Sequence, residues 1–307
     1  MNNNLITTHN PEYDKAFWNA MKGNIVSADA LRSGKTSMGT IKLPSYTEDK
    51  FTEALAKESL FRKIGTVLYN QGYHKFWARD CDDTASFIPE GSAIPIYEGM
   101  EDFTPYDIYS HKLASVIRMD EDFVFSPSYN IEKHMTAHLT KAFSHAEGKA
   151  FITGNGITEP VGILADNGGA EVGATASALT YDDVVALYFS LKPEYRKNGK
   201  WLMNDKTAFA LRRIKDADGN YIWNHSNDTI LGKEVLISEY MPNATAGLSP
   251  VAFGDFGYYT IVDRDHTSVK ALREKFAINS QIGYLGSEFL DGKLVRPEAV
   301  KVLKIKD

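Results

Sequence analysis

Few side chains in this sequence stand at spacings that enzymes use, and the clearest group is a fragment of a phosphate-binding loop. Ser33-Gly-Lys-Thr36 matches the end of the loop that holds nucleotide phosphates. That loop needs a second glycine five residues before Gly34, where this chain has Asp29. It also needs a preceding strand to aim its backbone N–H groups, and no strand is indicated there. The pattern therefore predicts no nucleotide site.

Two candidate metal sites also lack a full set of ligands. His134 and His138 stand one helical turn apart, a spacing that can present two imidazoles to Zn²⁺. The residue after His134 is Met135, whereas metalloproteases carry their glutamate base there. Residues 216–219 resemble the opening of a calcium loop, but Asn227 occupies the position of the closing glutamate. We interpret the histidines as a solvated helix face and residues 216–219 as a turn.

Composition excludes further classes of site. The single cysteine, Cys81, excludes an internal disulfide and a metal site of paired thiolates. The acidic pairs Asp82-Asp83 and Asp182-Asp183 are interpreted as solvated or helix-capping groups. A net charge of −6 argues against sequence-independent nucleic-acid binding by the chain as a whole. We therefore predict no catalytic residues, no metal and no cofactor, and a chain that is not an enzyme.

The remaining composition is typical of an ordinary globular protein. The 307 residues are 43% hydrophobic and 24% charged, enough for one large domain or two smaller ones. No apolar run reaches the ~18 residues that a membrane helix needs, so we expect no membrane partner. No signal peptide is indicated. We expect synthesis in a reducing cytoplasm.

Hydrophobic periodicity indicates the elements that position these residues. The strongest helix is predicted over residues 131–151, capped by Asn130. Its polar face is predicted to carry Lys133, His134, Lys141 and Glu147. Other helices are predicted over residues 11–22, from Pro44 with Ser45 or Thr47 as cap, from Thr180 in a capping box with Asp183, and from Asn204 or Asp205 to Ile214. Strands are predicted over residues 64–70, 106–119, 201–203, 234–237, 251–253 and 258–262, with a hairpin at Asp291-Gly292.

Two segments lack a predicted partner within the chain. Residues 73–103 are rich in aromatic and branched side chains broken by Pro and Gly, which predicts a long two-stranded ribbon. Such a ribbon is marginal in water on its own. Residues 1–42 are polar, with one short helix and too little apolar surface to order themselves. We expect both segments to be ordered by a neighbouring molecule.

The order of several sequence segments resembles the major capsid proteins of tailed bacteriophages, the Hong Kong 97-like capsid family. The segments are residues 12–23, 43–44, 51–55, 131–151, 150–156, 160–164, 211–223, 254–264 and 296–303. The resemblance runs from about Pro11 to the C-terminus. It implies an α+β subunit with an N-terminal arm, an extended β-ribbon loop, a peripheral domain around a spine helix, and an axial domain.

The resemblance also implies a division of the chain, in which the peripheral domain is built from three separate segments. In chain order we expect an N-terminal arm (1–42), a first peripheral segment (43–72), the extended loop (73–105), a second peripheral segment (106–164) with the spine helix 131–151, the axial domain (165–262) and a third peripheral segment (263–307). Several apolar residues are candidates for contacts between subunits: Phe17, Trp18, Phe76, Trp77, Phe87, Ile88, Ile94, Ile96 and Tyr97.

The function implied by the resemblance is a self-assembling subunit of an icosahedral phage head that encloses double-stranded DNA. Its partners would be copies of itself in pentamers and hexamers, with a scaffold, a portal and a maturation protease, and packaged DNA contacted only non-specifically. It would assemble in the bacterial host cytoplasm and reside in the virion. Some relatives link subunits covalently through a ribbon lysine. Lys75, Asn279 and Glu288 are the weak counterparts here, and we predict no cross-link.

Two other functions remain open from the sequence. An encapsulin-type nanocompartment shell would share the fold but enclose cargo enzymes. A hydrolase with a dispersed active site belongs to a different class, and a polar cluster inside a closed pocket would favour it. Genome neighbours or particle contents would separate the two shell proteins.

Overall fold

The computed structural model describes residues 7–24, 26–36, 40–69, 75–79, 87–94, 96, 103–126, 128–215, 219–221, 223–224 and 228–306. Within these ranges the helices are α1 (Pro11–Lys22), α2 (Ser45–Glu58), α3 (Leu60–Ile64), α4 (Glu121–Phe125), α5 (Ile131–Thr153), α6 (Tyr181–Ser190), α7 (Pro193–Arg196), α8 (Asp205–Arg212) and α9 (Arg273–Phe276). Among the described residues, no helix has the length and apolarity that a membrane crossing requires.

The strands fall into two large sheets and one separate pair. They are β1 (Ile41–Lys42), β2 (Thr66–Tyr69), β3 (Lys75–Arg79), β4 (Phe103–Asp107), β5 (His111–Asp120), β6 (Glu171–Ala176), β7 (Lys200–Met203), β8 (Trp223–Asn224), β9 (Thr229–Ile230), β10 (Lys233–Ile237), β11 (Val251–Gly254), β12 (Tyr259–Asp263), β13 (Ser268–Leu272), β14 (Gln281–Leu294) and β15 (Val300–Ile305).

Local side-chain caps begin three helices where the sequence predicts them. The Asn130 side chain accepts a hydrogen bond from the Lys133 backbone N at 2.9 Å and begins α5. Thr180 and Asp183 form the predicted capping box of α6. The Asn204 side chain caps α8. Each cap satisfies a backbone N–H that has no partner within its own helix.

The predicted cap of α2 is wrong. The helix follows Pro44, and neither Ser45 nor Thr47 caps it. Thr47 is buried, and its hydroxyl lies 3.5 Å from the Glu132 carboxylate of α5. The side chain is therefore used in packing between the two helices.

The first sheet is organised around the long strand β14. One stretch of β14 pairs antiparallel with β13 and another with β12, while β5 pairs with it over ten residues. β2 then adds to β12 in parallel, and β1 adds to β13. Helices α1, α2 and α5 pack on this sheet, and their shared core includes Phe17, Phe51, Phe143, Val269 and Tyr284.

The second sheet has the order β6-β15-β11-β7-β10-β9-β8. Trp201, Phe253 and Leu303 from its central strands form a second core with Leu187 of α6 and Leu211 of α8. A third core joins the two sheets, because it combines Tyr259 and Leu294 of the first sheet with Leu202 and Val302 of the second. Phe61 of α3 belongs to this joining core and meets the rings of Phe151, Phe256 and Tyr259 edge-on.

The hairpin predicted at Asp291-Gly292 is wrong, because β14 continues straight through both residues. They pair with Val262 and Ile261 of β12. A side chain at Gly292 would place its Cβ 2.7 Å from the Tyr259 hydroxyl and 2.9 Å from the Phe151 ring. This glycine therefore permits close packing within a strand and does not form a turn.

The sheets also divide the chain differently from the predicted domains. β12 belongs to the first sheet, although its sequence falls almost wholly within the expected axial segment 165–262. β15 belongs to the second sheet, although its sequence falls in the expected peripheral segment 263–307. The chain crosses between the sheets at these points, which periodicity alone does not reveal.

The expectation that only a neighbouring molecule orders the N-terminal segment is wrong for α1. Phe17 is fully buried in the first core. The Tyr284 hydroxyl donates to the Met21 carbonyl at 3.0 Å, and Arg273 Nη2 donates to the same carbonyl at 2.7 Å. These donors lie more than 250 residues away in sequence, so the local sequence around α1 does not indicate them.

Replacing Phe17 tests whether α1 belongs to its own subunit. We expect Phe17→Ala to lower the free energy of unfolding of the unassembled subunit by about 3–5 kcal/mol, because it leaves a cavity in a filled core. The exposed Phe209 is the matched control, and Phe209→Ala should change stability by no more than about 0.5 kcal/mol. Denaturant unfolding measures both, and equal effects would contradict this packing.

Candidate assembly site

The predicted ribbon begins as a separate two-stranded sheet. β3 and β4 pair antiparallel from Lys75 opposite Asp107 to Arg79 opposite Phe103, and neither strand belongs to a larger sheet. Trp77 is 57% exposed and Phe103 40% exposed. The Tyr106 hydroxyl fastens the base of the ribbon to the first sheet, by a 2.6 Å hydrogen bond to the Val295 carbonyl just beyond β14. The base is therefore anchored while its apolar faces meet solvent.

The described residues farther along the ribbon are exposed as well. Residues 87–94 and 96 are all exposed, including Phe87, Ile88, Ile94 and Ile96. Ile94 is 75% and Ile96 is 90% exposed, although fully burying such a side chain is worth about 1.5–3 kcal/mol. Clusters of exposed apolar side chains on a soluble chain mark interaction sites.

The remaining contact candidates have different positions. Phe17 is buried in its own subunit and is removed from the candidate set for that reason. Trp18 is partly buried and packs against the first core. Tyr97 and the side chain of Phe76 lie outside the described residues. The candidate contact surface is therefore the ribbon, through Trp77, Phe87, Ile88, Ile94 and Ile96.

The three cross-link candidates occupy unlike environments. Lys75 is exposed at the base of the ribbon, and its Nζ lies 3.7 Å from Asp107 Oδ1. Asn279 is exposed in a short turn before β14. Glu288 is only 6% exposed and faces a buried ion cluster, so a neighbouring lysine would have to displace protein to reach it. The absence of a cross-link stays a prediction.

That cluster is centred on Arg62 of α3. Its guanidinium donates to both carboxylate oxygens of Glu147 at 2.6–3.0 Å and to Asp263 at 2.7 and 2.9 Å. Glu288 Oε1 lies 3.9 Å from Nη2. The Arg62 and Glu147 side chains are 2% and 0% exposed. One cation therefore joins α3 to α5 and β12 through charge-assisted hydrogen bonds, and Glu288 of β14 lies beside it beyond hydrogen-bond distance.

Three carboxylates around one guanidinium sum to a net charge of −2, and protonating one of them reduces this to −1. Burial raises the pKa of Glu288 well above its ordinary value of 4.5, and the negative charge of Glu147 raises it further. As a carboxylate, Glu288 Oε1 has no hydrogen-bond partner among the residues that the structure describes. As a neutral acid it can donate to Glu147. Burial and the neighbouring Glu147 carboxylate therefore favour the neutral acid form of Glu288.

The sequence analysis did not predict this cluster. Its prediction that Glu147 lies on the solvated face of the spine helix is wrong. Ile131, Met135, Leu139, Phe143, Glu147 and Phe151 follow one another at intervals of four residues and all are buried. The sequence did carry a signal for this burial, because Glu147 falls at the same four-residue spacing as the buried apolar residues of the helix.

The groups that resembled catalytic motifs have structural roles. Gly34 lies so close to the Tyr13 ring that a Cβ there would overlap the Tyr13 hydroxyl, so this glycine serves packing. The His134 and His138 rings stack at 6.5 Å between centroids. Within the described ranges, no cluster of three metal-ligating side chains occurs. Residues 81–83, 216–218 and 227 lie outside those ranges.

Removing the Arg62 guanidinium should strongly destabilise the folded subunit. We expect Arg62→Met to lower the free energy of unfolding by about 3–5 kcal/mol, because it strands buried carboxylates without a counter-ion. The exposed neighbour Lys63 provides the control, and Lys63→Met should be nearly neutral. Thermal and denaturant unfolding of the isolated subunit measure the difference. Similar losses in both variants would contradict the central position of Arg62.

The raised pKa of Glu288 predicts a pH dependence. A carboxyl group with a higher pKa in the folded state stabilises the fold fully below its unfolded pKa. That contribution is lost as the pH rises from about 4.5 through the raised value. We expect Glu288→Gln, which stays neutral, to gain stability relative to the wild type over this rise. Denaturant unfolding at several pH values tests this, and parallel pH curves would contradict it.

Comparisons with known proteins agree with this geometry. The solved capsid of an empty GTA particle is 29% identical, over 81% of this chain and 90% of its own, with a TM-score of 0.67. The capsid of a native GTA particle has the same identity and coverage, with a TM-score of 0.63. A chain from Gordonia phage Cozz is 14% identical over 81% of this chain and 87% of its own, at a TM-score of 0.59, and shows the shared fold.

No curated protein matches the sequence. A family model described as the phage capsid family matches residues 39–305. That match covers both sheets, the spine helix α5 and the ribbon. The chain therefore belongs to the phage capsid family.

Proposed function

We propose that this chain is the major capsid protein of an icosahedral phage head that encloses double-stranded DNA. Membership in the capsid family and the Hong Kong 97-like fold support a structural subunit in place of an enzyme. The observation that carries the proposal is the ribbon. It is anchored at its base and presents Trp77, Ile94 and Ile96 to solvent.

Exposed apolar side chains on a ribbon become buried when a second subunit covers them. Each Å² removed from water contributes about 25 cal/mol before the costs of association and side-chain ordering are subtracted. The ribbon and the surface that receives it are different regions of the chain, so the contact is head-to-tail. Repetition of such a contact by rotation closes a ring. Pentamers and hexamers of this chain are the rings that we propose.

The further partners in this proposal are a scaffold, a portal and a maturation protease, as expected for a phage head. Assembly takes place in the bacterial host cytoplasm, and the product is the virion. Packaged DNA is contacted without sequence preference, because the chain as a whole is acidic at a net charge of −6. Electron microscopy of the purified protein tests the core of the proposal. Closed shells are expected, and a chain that stays monomeric at high concentration would contradict it.

Polar substitution at the ribbon should separate assembly from folding. We expect Ile94→Ser with Ile96→Ser to leave the free energy of unfolding of the isolated subunit unchanged, because both side chains are exposed in the single chain. The same variant should reduce the yield of shells by about tenfold or more, because buried apolar contacts drive association. Sedimentation measures the assembled fraction.

Ile157 supplies the control, since it is 82% exposed and lies far from the ribbon in sequence. Ile157→Ser should assemble as the wild type does. A ribbon variant that forms shells in normal yield would show that these side chains do not mediate the contact.

A further inference from the structure

Three Asn-Gly pairs give this chain a reaction that needs no enzyme. They are Asn155-Gly156, Asn167-Gly168 and Asn198-Gly199. In such a pair the backbone nitrogen after the asparagine attacks the side-chain carboxamide, because glycine has no Cβ to obstruct the approach. A C–N bond forms and closes a cyclic succinimide, while the C–NH2 bond breaks and ammonia leaves with the proton of the attacking nitrogen. Water then opens the ring to aspartate or isoaspartate.

The fold restrains both reacting groups of the third pair. The Gly199 backbone N–H donates to the Arg196 carbonyl at 3.2 Å, and the Asn198 side chain donates to Asp255 Oδ2 at 3.2 Å. Gly199 is buried, and a Cβ there would stand 2.8 Å from the Phe253 ring. The nitrogen and the carboxamide are therefore engaged elsewhere, in a site with little room to rearrange. Such restraint slows a reaction that needs a defined approach of the two groups.

Hydrogen bonds also hold the side chain of the first pair. Asn155 Oδ1 accepts from the backbone N–H groups of Ile157 at 2.9 Å and Thr158 at 3.0 Å. Asn155 Nδ2 donates to the Thr158 hydroxyl at 3.2 Å, and the backbone at Asn155 forms a β-bridge with Val161. The carboxamide must release these bonds before it turns toward the Gly156 nitrogen. We therefore expect the folded state to slow this pair as well.

The middle pair is restrained far less. Asn167 is exposed in a turn, and no hydrogen bond to its side chain is found among the residues that the structure describes. Gly168 is exposed as well, at a φ of +79°, which glycine adopts without strain. The Asn167 carboxamide can therefore turn toward the Gly168 nitrogen by local rotation, without breaking a side-chain contact.

A cation beside this turn favours the attack. The nitrogen and the carboxamide oxygen both become more negative as the ring closes, so a nearby positive charge lowers the barrier. A Cβ built on Gly168 would stand 4.0 Å from Lys293 Cε, and the Lys293 ammonium is one bond beyond that atom. Asp166 directly precedes Asn167, and its negative charge opposes the attack. Lys293 offsets that charge from the other side of the turn's sequence.

We infer that Asn167 is a self-modification site, which converts to aspartate and isoaspartate as the chain ages, and that Lys293 promotes the conversion. The change adds a negative charge to the segment between α5 and β6. The isoaspartate product also lengthens the backbone of this segment by a carbon atom, so aged chains become a mixture of forms. The inference goes beyond the proposed function, because the reaction proceeds in the single chain and does not depend on assembly.

Peptide mapping by mass spectrometry, after incubation of the purified full chain at mildly alkaline pH, measures all three pairs in one sample. We expect Asn167 to convert at least about tenfold faster than Asn155 or Asn198 in the folded protein. In denaturant the three rates should fall within about threefold of one another, because the fold no longer restrains any pair. Isoaspartate among the products identifies the succinimide route. Equal rates in the folded protein, or an unreactive Asn167, would overturn the inference.

Substitution of the lysine tests its part in the reaction. Lys293→Met and Lys293→Gln should each slow the conversion of Asn167 by about threefold or more, whereas Lys293→Arg keeps the cation and should keep the rate. Lys304→Met is the matched control, because Lys304 is an exposed lysine of β15, and it should leave the rate unchanged. Unchanged conversion at Asn155 and Asn198 in the same samples shows that the fold is intact. Wild-type rates at Asn167 in both neutral variants would overturn the role of Lys293.

Discussion

Apolar side chains in the described part of the ribbon are exposed to solvent in the single chain, and this constraint governs the interpretation of the whole molecule. Elsewhere the largest buried aromatic side chains, such as Trp201, Phe61 and Tyr284, lie in three hydrophobic cores. At the ribbon, Trp77, Ile94 and Ile96 face water while the base is fastened by the Tyr106 hydroxyl. A soluble chain tolerates such a surface when another molecule covers it. Because the chain belongs to the phage capsid family, a second copy of the chain is the partner that we propose for this surface.

A projecting ribbon can transmit a defined geometry only from a rigid base. The joining core couples the two sheets through Tyr259 and Leu202, and Arg62 couples helices α3 and α5 to the first sheet through three carboxylates. Hydrogen-bonded ion clusters of this kind are directional, so they fix orientation as well as contact. Burial raises the pKa of Glu288, which favours its neutral form and so limits the charge that the interior must hold. The platform that presents the ribbon is therefore held by both packing and charge.

Features encoded over a few residues could be predicted from the sequence, whereas long-range ones could not. The caps at Asn130, Thr180 and Asn204 are local hydrogen bonds, and the prediction of them is confirmed. The strand through Gly292 depends on partners at Tyr259 and Phe151, which local turn chemistry does not reveal. In the Arg62 cluster, Glu147 is separated from Arg62 by 85 positions in the sequence and Asp263 by 201 positions. The ribbon was predictable because its aromatic and branched residues lacked a local partner, and the burial of Phe17 was missed because its partners are distant.

Hydrogen–deuterium exchange over residues 87–96 should be compared between the isolated subunit and assembled shells. We expect rapid amide exchange in the dilute monomer, because the described residues of this segment are exposed in the single chain, and strong protection in the shell, where a second copy covers them. Protection of the same amides in the solitary monomer, or free exchange within intact shells, would contradict this expectation.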